Sequence, residues 1–274
     1  MLWVIPRITL KKFKSLRGII SRLMQGLLLG SYFCITSAYG ADYGTGQEPV
    51  DLELVLAVDV SSSVDEYEAN LQRRGYIEAL KDPEVIDSIR SGPLGRIAVT
   101  YIEWAGEQHQ IKVVEWVILD GLESANTFSD KLTHRPISSA PSTSISRMID
   151  VASYEIENNN FIAPRLVIDI SGDGPNSDGR HVQLARNDAI KRGITINGLP
   201  VLSFRPNPNG FGAPSAWLGD YYLKNVIGGE NAFLIEVLGF EAFSDILKEK
   251  LKREIRGTSE IALTVPNTQQ NRAY

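Results

Sequence analysis

Runs rich in valine and isoleucine alternate with segments of helical periodicity along most of this chain, and this alternation is the feature that most restricts its fold. The runs that predict β-strands are 52–58, 96–104, 110–118, 166–170, 194–199 and 233–237. Helical spacing predicts helices over 67–80, 145–156, 182–190 and 243–255. Strands that alternate with helices predict a parallel sheet, because each helix carries the chain across one face of the sheet.

One pair of predicted strands departs from this order. Only five residues, 105–109, join the runs 96–104 and 110–118, which is too short for a parallel crossover and predicts a hairpin. The expected fold class is therefore α/β, a doubly wound, Rossmann-like architecture. Its sheet is mostly parallel and six-stranded, with one antiparallel edge strand and helices on both faces.

The first 40 residues have the pattern of a signal peptide. They hold six basic residues and no acidic one, followed by an apolar run over 26–36 and by Ala38 and Gly40 before Ala41. The basic residues are Arg7, Lys11, Lys12, Lys14, Arg17 and Arg22. We expect cleavage after residue 40 and export to the periplasm or beyond, with no stable membrane span afterwards. The alternative is an uncleaved amino-terminal anchor, although the run is shorter than the roughly 20 residues that a span needs.

The mature chain is acidic and has no thiol. Without the leader it has 22 basic and 33 acidic residues, a net charge of −11, which makes nucleic acid an unexpected partner. Cys34, the only cysteine, lies in the leader, so a packed core has to stabilise the fold. We expect a linker over 41–49, one domain over 50–256 and a polar tail over 257–274. The sequence gives no indication of the oligomeric state.

An Asp-x-Ser-x-Ser run directly follows the first apolar strand. Asp59, Ser61 and Ser63 bring three hard oxygen ligands to the end of that strand, and a chain that turns there can direct all three to one point. In an open parallel sheet, ligands bind at the carboxyl ends of the strands. Thr143, before the 145–156 helix, and Asp173, after the strand 166–170, are therefore the natural fourth and fifth ligands.

This pattern resembles the von Willebrand factor A domain family and its metal-ion-dependent adhesion site. The resemblance covers about 50–255, and the segments 171–176 (SGDGPN) and 221–229 (YYLKNVIGG) are similar to a branch of exported bacterial proteins built on this domain. It implies that Mg²⁺ or Mn²⁺, with Ca²⁺ less favoured, binds the five residues just named directly or through water. It also implies a protein partner that offers a Glu or Asp side chain to the ion.

The chain departs from the family pattern in two places. Residues 140–142 are Ala-Pro-Ser where the family often has glycines before the threonine. Gly172 stands directly before the aspartate, where the family commonly has Thr or Ser. Both differences bear on the loop geometry around the expected ion.

Three of the five site residues also have a structural interpretation. Ser63 and Glu66 have the spacing of a helix capping box, Thr143 is placed to cap the following helix, and Asp173 in Gly-Asp-Gly is suited to a turn. We favour the metal site, since helix capping explains neither Asp59 nor Ser61.

Two other functions are open on the sequence alone. A haloacid dehalogenase-like phosphohydrolase also places an aspartate after its first strand, but Ser61 stands where that class needs its second aspartate. A von Willebrand A scaffold with a decayed metal site is the other. We expect no zinc site and no catalytic activity, because His109, His134 and His181 fit no metal or catalytic spacing and the mature chain has no cysteine.

Overall fold

A computed structural model describes residues 46–202, 210, 216–239 and 243–257. All of these except Gly46 belong to one unit spanning residues 47–274. The strands are β1 Glu48–Pro49, β2 Glu53–Asp59, β3 Ile97–Trp104, β4 Gln110–Leu119, β5 Phe161–Ile162, β6 Leu166–Gly172, β7 Ile194–Leu202 and β8 Val237–Leu238. The helices are α1 Glu66–Lys81, α2 Pro83–Arg90, α3 Leu122–Thr133, α4 Ile145–Glu157, α5 Val182–Lys191, α6 Leu218–Tyr221 and α7 Phe243–Arg256, with a π-helical turn at Tyr222–Val226.

Six strands form the main sheet of the described residues, in the order β4-β3-β2-β6-β7-β8. All neighbours are parallel except β3 and β4, which form the expected hairpin at one edge. The predicted fold class is thus confirmed. The last strand is shorter than predicted and covers Val237–Leu238 instead of 233–237, because Leu234 makes only a single bridge to Gly198.

Several elements were not predicted from the sequence. Helices α2 and α3 flank the β3–β4 hairpin in the chain, and α2 begins with Asp82 as its N-cap and a proline in its first turn. Strands β1 and β5 form a separate two-residue parallel ladder. Strand β1 precedes β2 and β5 precedes β6 in the chain, so the segments that lead into these two central strands also pair with each other.

Every residue of the central strand β2 is buried, which is why its sequence is almost continuously apolar. Because side chains alternate along a strand, Leu54, Leu56 and Val58 pack into the core layer that α1 and α7 cover. Val55 and Ala57 face the opposite core layer, which α4 covers. A strand buried on both sides lies in the middle of a doubly wound sheet, and its carboxyl end is therefore central too.

Helix α7 is tied to the sheet by buried charges. Lys250, fully buried, makes ion pairs with Asp169 of β6 and Glu254 of its own helix. Asn197 of β7 donates a hydrogen bond to Glu254 Oε1 at 3.2 Å. One cation thus faces two carboxyl groups, and burial, followed by the negative charge of Asp169, raises the pKa of Glu254 to about 7.

The Glu254→Gln variant should remove a pH-dependent part of the stability. The folded-state pKa of about 7 lies above the ordinary 4.5, so protonated Glu254 favours folding at low pH, and that contribution is lost as the pH rises through 7. Urea denaturation between about pH 5 and pH 8 should show wild type losing roughly 1–3 kcal/mol relative to the variant. Parallel stability curves for the two proteins would contradict this electrostatic account.

Several sequence predictions fall outside the described residues: the leader over 1–40, most of the linker over 41–49 and the tail beyond residue 257. Among the residues that are described, no helix has the length and apolar character needed to cross a membrane.

Candidate metal-binding site

The two acidic residues of the predicted site lie at the ends of adjacent strands. Strand β2 ends at Asp59 and pairs in parallel with β6, with Val58 opposite Ser171. Strand β6 ends at Gly172, so Asp173 is the first residue beyond it. Because parallel neighbours end at the same edge of a sheet, the pairing brings together two loops that carry carboxyl groups. Asp59 and Asp173 are 114 positions apart in the sequence.

A continuous chain of hydrogen bonds links four of the five predicted residues. The Ser61 amide donates to Asp59 Oδ1 at 2.7 Å, and the Ser61 and Ser63 hydroxyl oxygens are 3.1 Å apart. The Ser63 hydroxyl then donates to Asp173 Oδ1 at 2.7 Å. The Asp-x-Ser-x-Ser run therefore turns back at the strand end, as expected, and reaches the loop after β6.

Thr143 reaches this region through its backbone. Ser61 forms a parallel bridge with Ala140, and the Ser62 amide donates to the Ala140 carbonyl at 3.0 Å, which joins the segment before α4 to the loop after β2. Ser142 then adopts a left-handed φ of 67°, which is uncommon for a residue other than glycine. This bend leads directly into Thr143, which is almost fully buried.

Ser177 holds Thr143 against the loop that begins with Asp173. The Thr143 amide donates to Ser177 Oγ at 3.0 Å, and the Ser177 amide donates to the Thr143 carbonyl at 2.8 Å. A Cβ on Gly174 would lie 3.8 Å from Thr143 Oγ1, so the threonine hydroxyl faces the residue next to Asp173. Thr143 and Asp173 thus belong to the same local cluster.

Neither Ser63 nor Thr143 caps a helix, so both structural interpretations are wrong. The N-cap of α1 is Asp65, which accepts from the Glu68 amide at 2.9 Å, while Glu68 accepts from the Asp65 amide. The N-cap of α4 is Ser144, which accepts from the Arg147 amide. The residues that cap both helices are therefore neighbours of Ser63 and Thr143 and not these two residues themselves.

The carboxyl groups of the cluster lie in an environment that disfavours two bare negative charges. Burial and the negative charge of Asp173 raise the pKa of Asp59 to about 8, against the opposing hydrogen bonds from Ser61. Burial, against the hydrogen bond from Ser63, raises the pKa of Asp173 to about 6, with Glu68 adding to the rise. Asp59 Oδ2 is buried and has no hydrogen-bond partner among the described residues.

This donor set fits a hard divalent cation. It offers oxygen atoms only, from two carboxylates and three hydroxyls, and a cation would relieve the repulsion between the carboxylates and satisfy Asp59 Oδ2. Within the described ranges there is no group of three or more His, Cys, Asp or Glu side chains that could hold a metal ion, and a site rich in hydroxyls is of a different kind.

Two supporting residues were not identified from the sequence. The Gln72 side chain of α1 donates to the Asp59 carbonyl at 3.2 Å and so anchors the end of β2. Asn176 Oδ1 accepts from the Ser146 amide at 2.8 Å, which ties the loop after β6 to the first turn of α4. Asn176 lies in the segment 171–176, which is similar to a branch of exported bacterial proteins, but nothing in the sequence pattern indicates which backbone group its side chain binds.

Similar solved structures define the class of fold. Proximal thread matrix protein 1 from the mussel byssus is 18% identical over 76% of this chain and 47% of its own, with a TM-score of 0.54. A von Willebrand factor type A protein from Catenulispora acidiphila is 12% identical over 76% and 43%, with a TM-score of 0.52. The pilus adhesin SpaC from Lactobacillus rhamnosus GG, in its open conformation, is 14% identical over 77% and 30%, with a TM-score of 0.53.

The fold is therefore that of a von Willebrand factor A-type domain, as the resemblance predicted. This chain spans less than half the length of each of these structures. Another structure of the mussel protein has a zinc-occupied MIDAS motif; it is 15% identical over 75% of this chain and 46% of its own, with a TM-score of 0.52.

The chain itself belongs to a bacterial family described as protein of unknown function (DUF1194), whose sequence model matches residues 49–259. A search of curated proteins found no match.

Replacing Asp65 and Ser63 separately should distinguish capping from the cluster. Asp65→Ala should lower the free energy of unfolding by about 1 kcal/mol, since it removes the N-cap of α1. Ser63→Ala should cost less, because its hydroxyl joins two loops and is not the N-cap of the helix. Urea denaturation without added metal measures both, and a larger loss for Ser63→Ala would show that Ser63 supports the fold more than the cap does.

Proposed function

We propose that this chain is an exported protein-interaction domain that binds a divalent cation and uses it to recognise an acidic residue of a partner protein. Strand β2 ends at Asp59, and a chain of hydrogen bonds runs from Asp59 to Asp173 in the loop after β6. This chain of hydrogen bonds is the observation that carries the proposal. The proposed ligands, directly or through water, are Asp59, Ser61, Ser63, Thr143 and Asp173. Export is proposed from the composition of residues 1–40.

The proposed ion is Mg²⁺ or Mn²⁺, with Ca²⁺ less favoured. Compact oxygen ligands on short loops suit the smaller octahedral ions, whereas Ca²⁺ takes more oxygens at longer distances. Once bound, such an ion supplies a positive centre with a coordination position open to a further carboxylate. Asp59 and Asp173 balance the formal charge of the ion, but the five proposed ligands leave a six-coordinate ion one ligand short, and an acidic partner residue can fill that position.

An exposed aromatic residue is linked through Tyr221 to the loop that contains Asp173. The Trp217 side chain is half-exposed and packs edge-to-face on Tyr221, with ring centroids 5.9 Å apart. The Tyr221 hydroxyl accepts from the Asn176 amide at 3.1 Å, in the loop that contains Asp173. Because tryptophan is enriched among the residues that dominate binding energy at protein interfaces, we assign Trp217 a role in partner selection.

Purified protein should bind Mn²⁺ with a saturable isotherm in calorimetry or in electron paramagnetic resonance titration. Asp59→Asn and Ser63→Ala should each weaken binding by tenfold or more, on the order of 1.4 kcal/mol, because the first removes a negative charge and one of the two carboxylate oxygens and the second removes a hydroxyl oxygen. Asp65→Ala is the matched control: it should bind as wild type does despite its lower stability. Competition with Mg²⁺, Ca²⁺ and Zn²⁺ then ranks the ions.

Absence of saturable binding in the folded wild-type protein would favour the decayed-site interpretation. Hydrolysis of a phosphate ester by wild type and not by Asp59→Asn would favour the phosphohydrolase instead.

Partner recognition should need both the ion and an acidic residue. Peptides on an array that bind the wild-type protein should no longer bind when EDTA is present or when Asp59 of the protein is replaced by Asn. They should also no longer bind when the Glu or Asp residue of the peptide is replaced by Gln or Asn. Trp217→Ala should weaken peptide binding and leave Mn²⁺ affinity unchanged, since the tryptophan contacts the partner and not the ion. Binding that persists in EDTA or tolerates the amide peptides would argue against recognition through the ion.

A further inference from the structure

The Tyr222 hydroxyl is a buried polar group that the proposed ligand set does not use. Tyr222 is fully buried at the start of the π-helical turn, and its hydroxyl has no hydrogen-bond partner in the described part of the chain. Buried hydroxyls without a partner are costly, and π-helical turns occur frequently at functional sites. The position therefore needs an explanation beyond packing.

Gly172 shows where this hydroxyl lies. A Cβ on Gly172 would be 2.8 Å from the Tyr222 hydroxyl oxygen and 2.9 Å from Asp59 Oδ2. Both oxygens thus lie within 3 Å of one point above the glycine, and neither has a hydrogen-bond partner among the described residues. A side chain on residue 172 would fill this space, so the glycine keeps the two oxygens in reach of each other.

The two groups are complementary. A carboxylate only accepts hydrogen bonds, whereas a phenol can donate one. Burial, and after it the negative charges of Asp59 and Asp173, raise the pKa of Tyr222 well above its usual value, so the phenol keeps its proton. Apart from its chain neighbours, the three atoms nearest to the Gly172 Cβ position are the Tyr222 hydroxyl oxygen and two atoms of Asp59.

We propose that Tyr222 is a positioning residue of the metal site, whose hydroxyl donates to Asp59 Oδ2, directly or through one bound water, across the space that Gly172 leaves open. Tyr222 does not touch the ion. It holds the Asp59 carboxylate in one orientation as the ion binds, and partners of this kind commonly contribute 10- to 100-fold in metal affinity. This inference rests on the proposed function, since it assigns a role toward the same ion.

Tyr222→Phe removes the hydroxyl and keeps the ring. The variant should weaken Mn²⁺ binding by about 10- to 100-fold in the titration used for the wild type. Tyr76→Phe is the matched control, because Tyr76 is also fully buried and its hydroxyl has no hydrogen-bond partner among the described residues, but it packs on Tyr101 and Phe243 in the opposite core layer. It should bind Mn²⁺ as wild type does.

A second measurement does not depend on how well the variant folds. In protein labelled with 3-fluorotyrosine, the ¹⁹F resonance of Tyr222 is identified by its absence from the spectrum of Tyr222→Phe or Tyr222→Leu. In the wild-type protein this resonance should shift saturably with Mg²⁺, and the Tyr76 resonance should not. Gly172→Ala should also weaken Mn²⁺ binding, because its methyl group fills the space between the two oxygens.

The outcomes separate the two proposals. If wild type binds no Mn²⁺, the proposed function fails and the role of Tyr222 fails with it. If wild type binds Mn²⁺ but Tyr222→Phe binds equally well, or the Tyr222 resonance stays unmoved by Mg²⁺, only the assignment of Tyr222 is overturned.

Discussion

The parallel pairing of β2 with β6 is the constraint on which the rest of the site depends. It places the Asp59 carboxyl group opposite the residues that lead into Asp173, in a region from which water is largely excluded. Two buried carboxyl groups in such a place are unfavourable as anions, and the raised pKa of both reports that cost. A fold that keeps this arrangement gains from a cation that offsets the repulsion.

The surrounding structure assigns its polar side chains to separate tasks. Asp65 and Ser144 cap the two helices that begin beside the site, so the neighbouring Ser63 and Thr143 are not needed there. The loop after β6 contributes Asp173 as a candidate ligand and Ser177 as the residue that holds Thr143. One candidate ligand and the residue that holds another thus come from the same loop, an arrangement that favours a fixed site over one assembled on binding.

The sequence was sufficient to predict the framework because its signals are local. The run 54–58 of β2 is apolar throughout, and an aspartate directly after this run has to lie at the carboxyl edge of a parallel sheet. Asp59, Ser61, Ser63 and Asp173 could be placed together on that ground alone. Their mutual hydrogen bonds agree with the placement, while metal binding itself stays a prediction.

The parts that could not be predicted depend on contacts between distant segments or on choices between adjacent residues. Tyr222 lies 50 positions from Gly172 and approaches it through a π-helical turn, which has no strong sequence signature. Capping by Asp65 in place of Ser63 is a shift of two residues, smaller than pattern analysis resolves at helix ends. The left-handed backbone of Ser142 lies two residues after the bridge between Ser61 and Ala140, a contact between distant segments that no local pattern shows.

A crystal structure of the protein grown with Mn²⁺, with diffraction data collected at the manganese absorption edge, tests the central claim most directly. The account predicts one strong anomalous peak among the side-chain oxygens of Asp59, Ser61, Ser63, Thr143 and Asp173. An empty cluster at saturating Mn²⁺, or a peak elsewhere on the surface, would contradict it.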